Sequence, residues 1–550
     1  MIARLIAWSA RNRVLVLIGT VFAVAAGIQA LRTLPLDAIP DLSDVQTIVY
    51  TEYPGQAPQV VEDQVTYPLT TAMLTVPRAK VVRGVSMFGV SFVSVIFEDG
   101  TDAYWARARV LEYLNGPASR LPAGVIPTLG PDATGIGWVY QYVILARQRT
   151  LAELRSLQDW VVRFAASRGE GVAEVAPVGG FVKQYSVVVD PNRLRAQGIS
   201  LNRLRDAIRA SNADVGGRTV ELSEFEVVVR GRGYLKSTQD IGAVVLKTDT
   251  GTPVRVRDVA RVEIGPDERR GIAELDGEGE VAGGIVVQRF GANARAVIAS
   301  VKDRLAEIAK SLPSGTEIVP VYDRSQLIDA AIATLTHTLA EECAIVALVC
   351  VVFLLHLRSA LVAILMLPVG ILMAFAAMRA LGLGADIMSL GGIAIAVGAM
   401  IDAAIVMIEN AHKHLERAPP DRPRAEILVR AAAEVGPSLF LSLLVITVSF
   451  LPIFTLESQE GRLFGPLAFT KTFAMAAAAL LSVTLVPALM ILFVRGRIIP
   501  EHRNPVNRLL IGIYRPLIAA VLRARILTLL LALGLLVATI WPARQLGWEF

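Results

Sequence analysis

Two kinds of hydrophobic pattern divide the chain. In one, apolar residues run on nearly unbroken for about 20 residues, the length a helix needs to cross the hydrocarbon of a bilayer. Such runs lie at 14–31, 335–355, 359–381, 387–409, 437–456, 469–494 and 526–541, and they predict seven transmembrane helices. In the other, residues 32–334, apolar and polar positions alternate over short stretches bounded by Gly, Pro and Asp, as in a water-exposed fold. There the pattern predicts a strand at 45–53, a helix at 57–74, a strand at 90–97 (VSFVSVIF) and a helix at 104–114. It restarts with a strand at 139–146, a helix at 151–167 and a strand at 172–178. A strand-rich module then intervenes up to about residue 274. The pattern resumes with a strand at 282–289, a helix at 294–312 and a strand at 317–322. The expected fold is an α+β membrane protein: seven transmembrane helices and an outer domain of two βαβ-type α+β units, the second carrying an insertion.

Composition agrees with burial in lipid. Of 550 residues 54% are hydrophobic and only 19% charged, and the mean hydropathy is +0.53. A water-soluble chain this apolar would need an outsized core. The net charge of +5 is too mild to argue for nucleic acid. Two cysteines and five histidines exclude a disulfide scaffold and a Cys-rich zinc module. No phosphate-binding Gly-rich loop of the ATPase kind is present, which favours drive by an ion gradient.

Basic residues beside the spans set orientation. They cluster at Arg4, Arg11 and Arg13, at Arg358, at Lys413, Arg417, Arg422, Arg424 and Arg430, and at Arg495, Arg497, Arg503, Arg508, Arg515, Arg523 and Arg525. With alternating spans all of these share one side. The N-terminus is therefore expected in the cytoplasm, with 32–334 and the chain's end outside. The run at 14–31 lacks a small-residue cleavage site and reads as a retained span.

Within the spans, one acid stands out. Asp402 lies mid-span, where an ionised group costs about 2.5–3.5 kcal/mol on insertion scales, and intramembrane acids of this kind are functional by default. Glu409 is seven residues on, on the same helix face, near the cytoplasmic end. Of eleven methionines, Met366, Met373, Met378, Met388, Met400, Met407, Met475 and Met490 fall in spans. The first three read as packing. Met400 and Met407 are seven apart and share a face; Met475 and Met490 are fifteen apart and, on one unbroken helix, would also share one. Two helices that each present two thioethers can pair them, and soft sulfur suits Cu(I) and Ag(I). Asp402 is about 200° from Met400 around the helix, so acid and sulfurs face nearly opposite sides. The outer domain, by contrast, holds no His or Cys and only Met73 and Met87.

Several stretches carry a resemblance. These are LDAIPD at 36–41, YPGQAPQVVEDQVTYPLT at 53–70, GTDAYWARARVLEYLN at 100–115, LGPDATGIGW at 129–138, RRGIAELDGEGEVAGG at 269–284, GAMIDAAIVMIEN at 398–410 and GRLFGPLA at 461–468. Together with one long outer domain after the first span and five clustered spans, the chain resembles the N-terminal half of a resistance–nodulation–division efflux pump, in the copper/silver type of its heavy-metal branch. The resemblance implies a proton-driven exporter of Cu(I) and Ag(I), a cation/proton antiporter and not an enzyme, with protons as coupling ion and no permanently bound cofactor. It implies a bacterial inner-membrane location and assembly as a homotrimer with a periplasmic membrane-fusion adaptor and an outer-membrane channel. Asp402 would bind the proton and Glu409 extend its path. Met400 with Met475, and Met407 with Met490, would be relay pairs, and Met388 a third step completed by the family's other half. The Asp402-Ala403 pair matches the heavy-metal branch, where multidrug relatives have two acids. An outer methionine of the copper pump is Glu268 here, a departure that puts the outer metal path in doubt. The implied organisation is a cytoplasmic N-terminus and first span (1–31), outer units (32–178 and 275–334) around a docking insertion (179–274), a five-span bundle (335–494), an amphipathic cytoplasmic link (495–525), a seventh span (526–541) and the start of a second outer domain (542–550). A divalent-cation or drug exporter of the same fold, and a non-transporting half-length protein, are the alternatives.

Overall fold

The structure is a computed structural model that describes residues 1–249, 251–267, 269, 271–354, 356–419, 422–496 and 504–545. Glu268, Arg497, Arg503 and residues 546–550, all used above, lie outside the described residues, as does His502.

The outer region is two copies of one plan. Strands β1 (Gln46–Glu52), β2 (Ala79–Met87), β3 (Val90–Phe97) and β4 (Pro127–Leu129) form an antiparallel sheet in the order β2-β3-β1-β4. Strands β5 (Trp138–Ala146) and β6 (Val172–Gly179) open the second unit, and β13 (Ala282–Gln288) and β14 (Thr316–Asp323) close it, in the order β14-β5-β13-β6. This is the split βαβ arrangement, in which the third strand inserts between the first and the second. The register is set by burial. In β1 alternate residues Thr47, Val49 and Thr51 point inward, and Val49 pairs with Val93 of β3. Helices Ala103–Ala118 and Ala294–Ala309 cover one face of each sheet, burying Val110 and Leu114 in one core and Val297, Ile298 and Val301 in the other.

Between β6 and β13 lies the insertion. It contains β7 (Lys183–Val189), the hairpin β8 (Val215–Leu222) and β9 (Phe225–Gly231), the hairpin β10 (Val245–Asp249) and β11 (Thr252–Arg255), and β12 (Ala260–Pro266) paired with β7. It has its own core around Leu204, Leu246 and Val256. The β8–β9 hairpin is exposed along its whole length, Val220, Phe225 and Val228 included.

The bundle contains α1 (Ile2–Arg11), α2 (Arg13–Thr33), α3 (Arg324–Leu354), α4 (Leu357–Ala380), α5 (Ile387–Arg417), α6 (Arg424–Val448), α7 (Ser458–Val483), α8 (Leu485–Phe493), α9 (Pro505–Arg523) and α10 (Arg525–Gln545). Two findings bear on the expected spans. Among the described residues eight helices, not seven, are long and apolar enough to cross a membrane; the additional one is α9, within the segment expected to be a cytoplasmic link. And the expected sixth span is two helices. The chain breaks at Thr484 because Pro487 has no N–H to offer the Val483 carbonyl and its ring crowds that carbonyl. The argument that Met475 and Met490 share a face of one straight helix therefore fails.

Outer units and bundle are tied at one end, here called the outer end. Leu36 and Ala385 form a parallel bridge, with the Asp37 N–H donating to the Ala385 carbonyl at 3.0 Å and the Ala385 N–H to Pro35 at 2.9 Å. Helix α3 leaves β14 directly, its first turns packing Ile328 into the second outer core, so one rod runs from the outer domain into the bundle. Arg462, on the first turns of α7, donates to the Leu42 carbonyl at 3.0 Å and pairs with Asp44 and Asp99 of the first outer unit. The Arg462 guanidinium beside Asp99 holds that carboxyl below the usual carboxylate range.

Candidate functional site in the helical bundle

Helices α5 and α7 run in the same direction and touch closely near their outer ends. At Gly392 of α5 a side chain would meet the backbone of α7: a Cβ there would lie 2.6 Å from the Leu467 carbonyl oxygen and 3.3 Å from the Lys471 nitrogen. Only a residue without Cβ permits this approach. Met400 lies eight residues beyond Gly392, and Met475 eight beyond Leu467, so both sit about 12 Å deeper at matching depth. Both are fully buried. The Met400 thioether lies against α4, where a Cβ at Gly370 would stand 3.2 Å from its Sδ and 3.8 Å from Leu481 of α7.

Met407 and Met490 are also fully buried, and all four sulfur-bearing side chains belong to one continuous apolar core with Met366 and Met378. Met407 is one heptad deeper than Met400 on α5. Its Cε reaches toward Gly436 of α6, against which Ile6 of α1 also packs. Met490 is carried by α8, which packs on α1, α2 and α4. Met388 is half-buried in the first turn of α5.

The two acids stand apart from the sulfurs. Asp402 is on the exposed face of α5, flanked by buried Ile401 and Ala403, and makes no hydrogen bond or ion pair among the described residues. It thus faces away from this chain's own core. Glu409 is exposed too, and its carboxylate pairs with Lys413 at 2.6 Å, one turn on.

At the outer end of the bundle the structure adds a cleft of about 430 Å³ between the helices and the second outer unit, with Asp37, Asp386, Gln288 and Met378 among its lining. Asp37 pairs with the buried Arg324 at 3.3 Å, yet burial pushes its carboxyl up. Asp386 caps α5 by accepting the Ser389 N–H at 2.8 Å, and burial raises it likewise. Met378, read from the sequence as packing, accepts a hydrogen bond from the Thr470 hydroxyl at 3.4 Å through its Sδ. Spacing along one helix gave no signal for this, since Thr470 lies 92 positions away.

The family model described as AcrB/AcrD/AcrF matches residues 5–550. The chain is 57% identical over its whole length to the cation efflux system protein CusA of Escherichia coli K12, covering 54% of that protein. It is 56% identical to the cation efflux system protein SilA, so described provisionally, of Salmonella typhimurium, again covering 54%. To the cobalt-zinc-cadmium resistance protein CzcA of Cupriavidus metallidurans it is 36% identical, covering 53%. A crystal structure of a heavy metal efflux pump superposes with a TM-score of 0.79 at 33% identity, over 89% of this chain and 48% of that one. The chain spans about half the length of these curated relatives. A core of buried thioethers, an outward acid on the same helix, two split βαβ units with an insertion and a match from residue 5 to residue 550 lead to one conclusion: the chain belongs to the AcrB/AcrD/AcrF family of resistance–nodulation–division transporters.

Proposed function

We propose that this chain carries the metal path and the proton-binding acid of a secondary transporter that exports Cu(I) and Ag(I). The observation that carries the reading is the division of α5: Met400 and Met407 buried on one side, Asp402 exposed and without a partner among the described residues on the other. Thioethers are soft, polarisable donors that suit monovalent copper and silver. Met400 with Met475 would form one step and Met407 with Met490 the next, and Met388 would stand at the outer end of the line.

Asp402 binds the coupling proton. Ionised, it disfavours an apolar neighbour; protonated, it tolerates one, so each cycle changes what can pack against that face of α5. Because the same helix holds the sulfurs, its movement opens and closes the metal steps. Its outer end is tied to the outer units through the Leu36–Ala385 bridge, and α7 is tied to them through Arg462, so bundle motion reaches the outer domain. Glu409, paired with Lys413, serves at most as a way station at the helix end.

The basic residues at the inner end support a reading with the N-terminus in the cytoplasm and the outer units in the periplasm of a bacterial inner membrane. The exposed apolar β8–β9 hairpin supports assembly as a trimer through the insertion, with an adaptor and an outer-membrane channel as further partners. On this placement α9, with Arg508, Arg515 and Arg523, lies along the cytoplasmic surface.

The test is Asp402→Asn in the protein that carries this chain, reconstituted in vesicles with an imposed proton gradient. Gradient-driven Ag(I) movement is expected to fall to background while the protein stays folded. Flux that persists undiminished would overturn the assignment of the coupling site.

A further inference from the structure

At the inner end of the bundle the structure joins two histidines that are 56 positions apart in the chain. His356 precedes α4, and His412 lies near the end of α5. Their rings meet edge to face with centroids 5.8 Å apart. Between them stands Ser359, fully buried, whose Oγ is 2.7 Å from His356 Nδ1 and 2.8 Å from His412 Nε2. His412 is itself buried, with 9% exposure.

The tautomer of His356 is set from behind. Its Nε2 is 3.0 Å from the Arg495 carbonyl oxygen, which can only accept, so Nε2 carries the proton and Nδ1 presents its lone pair to the serine. Gly496, at a positive φ of 97°, turns the chain so that this carbonyl faces the ring, and Arg424 fixes the turn by donating to the Gly496 carbonyl at 2.8 Å. A ring N–H given to a backbone carbonyl leaves the other nitrogen unprotonated, as in a metal-ligating histidine; here that nitrogen also accepts the Ser359 N–H at 3.2 Å, a cap that an ion would replace.

The pair also lies deeper than the sulfurs. His412 is five residues past Met407 on α5, about 7.5 Å deeper and about 140° around the helix. On the opposite wall, Met490 is one turn before Val494, whose N–H bonds to the Met490 carbonyl, and the next residue is Arg495. The imidazoles thus lie nearer the inner end of the bundle than the innermost methionines.

We propose that His356 and His412 form a two-imidazole site for a soft monovalent cation, Cu(I) or Ag(I), at the inner mouth of the methionine path. Ser359 holds the two nitrogens near each other until the ion takes the place of its hydroxyl. Metal–imidazole bonds are about 2 Å long, so an ion held by both rings displaces the serine hydroxyl between them; His412, whose Nε2 donates to that hydroxyl in the empty site, then carries its proton on Nδ1, and two neutral donors satisfy a two-coordinate d¹⁰ ion without a further charge. The inference rests on the proposed metal path, which it extends by one step toward the side where metal would enter or leave.

The test uses Cu(I), added anaerobically to the purified protein that carries this chain, with affinity read by competition against a chromogenic chelator and donors read by X-ray absorption. In a Met400→Leu/Met407→Leu/Met475→Leu/Met490→Leu background, one Cu(I) with nitrogen donors and no sulfur is expected to remain. Adding His356→Asn and His412→Gln should weaken that ion at least tenfold and remove the nitrogen shell. Asn keeps the side-chain acceptor that begins α4, so the helix start is preserved. Ser359→Ala, which removes the bridge but no ligand, should leave Cu(I) affinity equal or higher, whereas a purely structural latch would bind no ion in any variant. A folded methionine-free variant that binds no Cu(I), or one whose nitrogen shell survives loss of both histidines, overturns the site. Wild-type protein showing nitrogen but no sulfur donors would refute the methionine path and leave this site standing.

Discussion

Replacing Met475 by leucine separates sulfur from bulk. The side chain is fully buried on α7 among α4 and α5. If it only fills space, leucine serves nearly as well, because volume-conserving swaps in a packed core cost less than about 1.5 kcal/mol. Truncation to alanine instead leaves a cavity and costs about 2–5 kcal/mol whatever the sulfur does. The expected result is that Met475→Leu melts close to wild type in detergent yet fails to protect a copper- and silver-sensitive host, while Met475→Ala loses both properties. Met366→Leu is the internal control. Met366 is equally buried in the same core but is assigned to packing, so its leucine variant should keep both stability and protection. Met475 is the cleaner choice over Met400, whose sulfur is pressed against Gly370 and would leave a differently shaped gap. Full metal tolerance in Met475→Leu would refute sulfur ligation at this position, however well the family kinship stands.

Three further outcomes are expected. Gly392→Val should push α5 and α7 apart at the Leu467 carbonyl and destabilise the bundle by about 1–3 kcal/mol or more, seen as a lower melting temperature together with lost export. Asp99→Asn should loosen the first outer unit from α7, visible as faster amide exchange in Ala103–Ala118. Because Arg462 depresses the Asp99 carboxyl, that difference from wild type is present above the unfolded carboxylate value near 3.8 and vanishes only as pH falls through the lower folded value. Asn504→Ala should cost about 1–2 kcal/mol, since the buried Asn504 amide donates to the Val352 and Phe353 carbonyls at the end of α3 while its oxygen accepts the Val506 N–H at the start of α9; a melt unchanged by the substitution would contradict this.

Hydrophobic pattern alone determined much of this protein. Long apolar runs must be helices that bury their own backbone polar groups, and alternating stretches such as VSFVSVIF must be strands with one buried face; β3 begins and ends where the pattern says, and the helices of the two outer units begin within a residue of it, whereas the helices of the insertion were not read. Asp402 was legible because a carboxyl within an apolar run is costly wherever it points, and Met400 and Met407 because seven residues on one helix return to one face. β2 was not legible: Ala79–Met87 is mostly exposed and lacks clean alternation, and only pairing with β3 makes it a strand. Tertiary structure decided the rest, for one physical reason. Periodicity reports neighbours along a helix, whereas chemistry at a site depends on neighbours across helices. The close approach at Gly392, the sulfur of Met378 under Thr470 and the meeting of His356 with His412 all join residues that no spacing along the chain connects. Even for Asp402, the sequence supplied the acid but only packing decided that it turns outward from this chain's core.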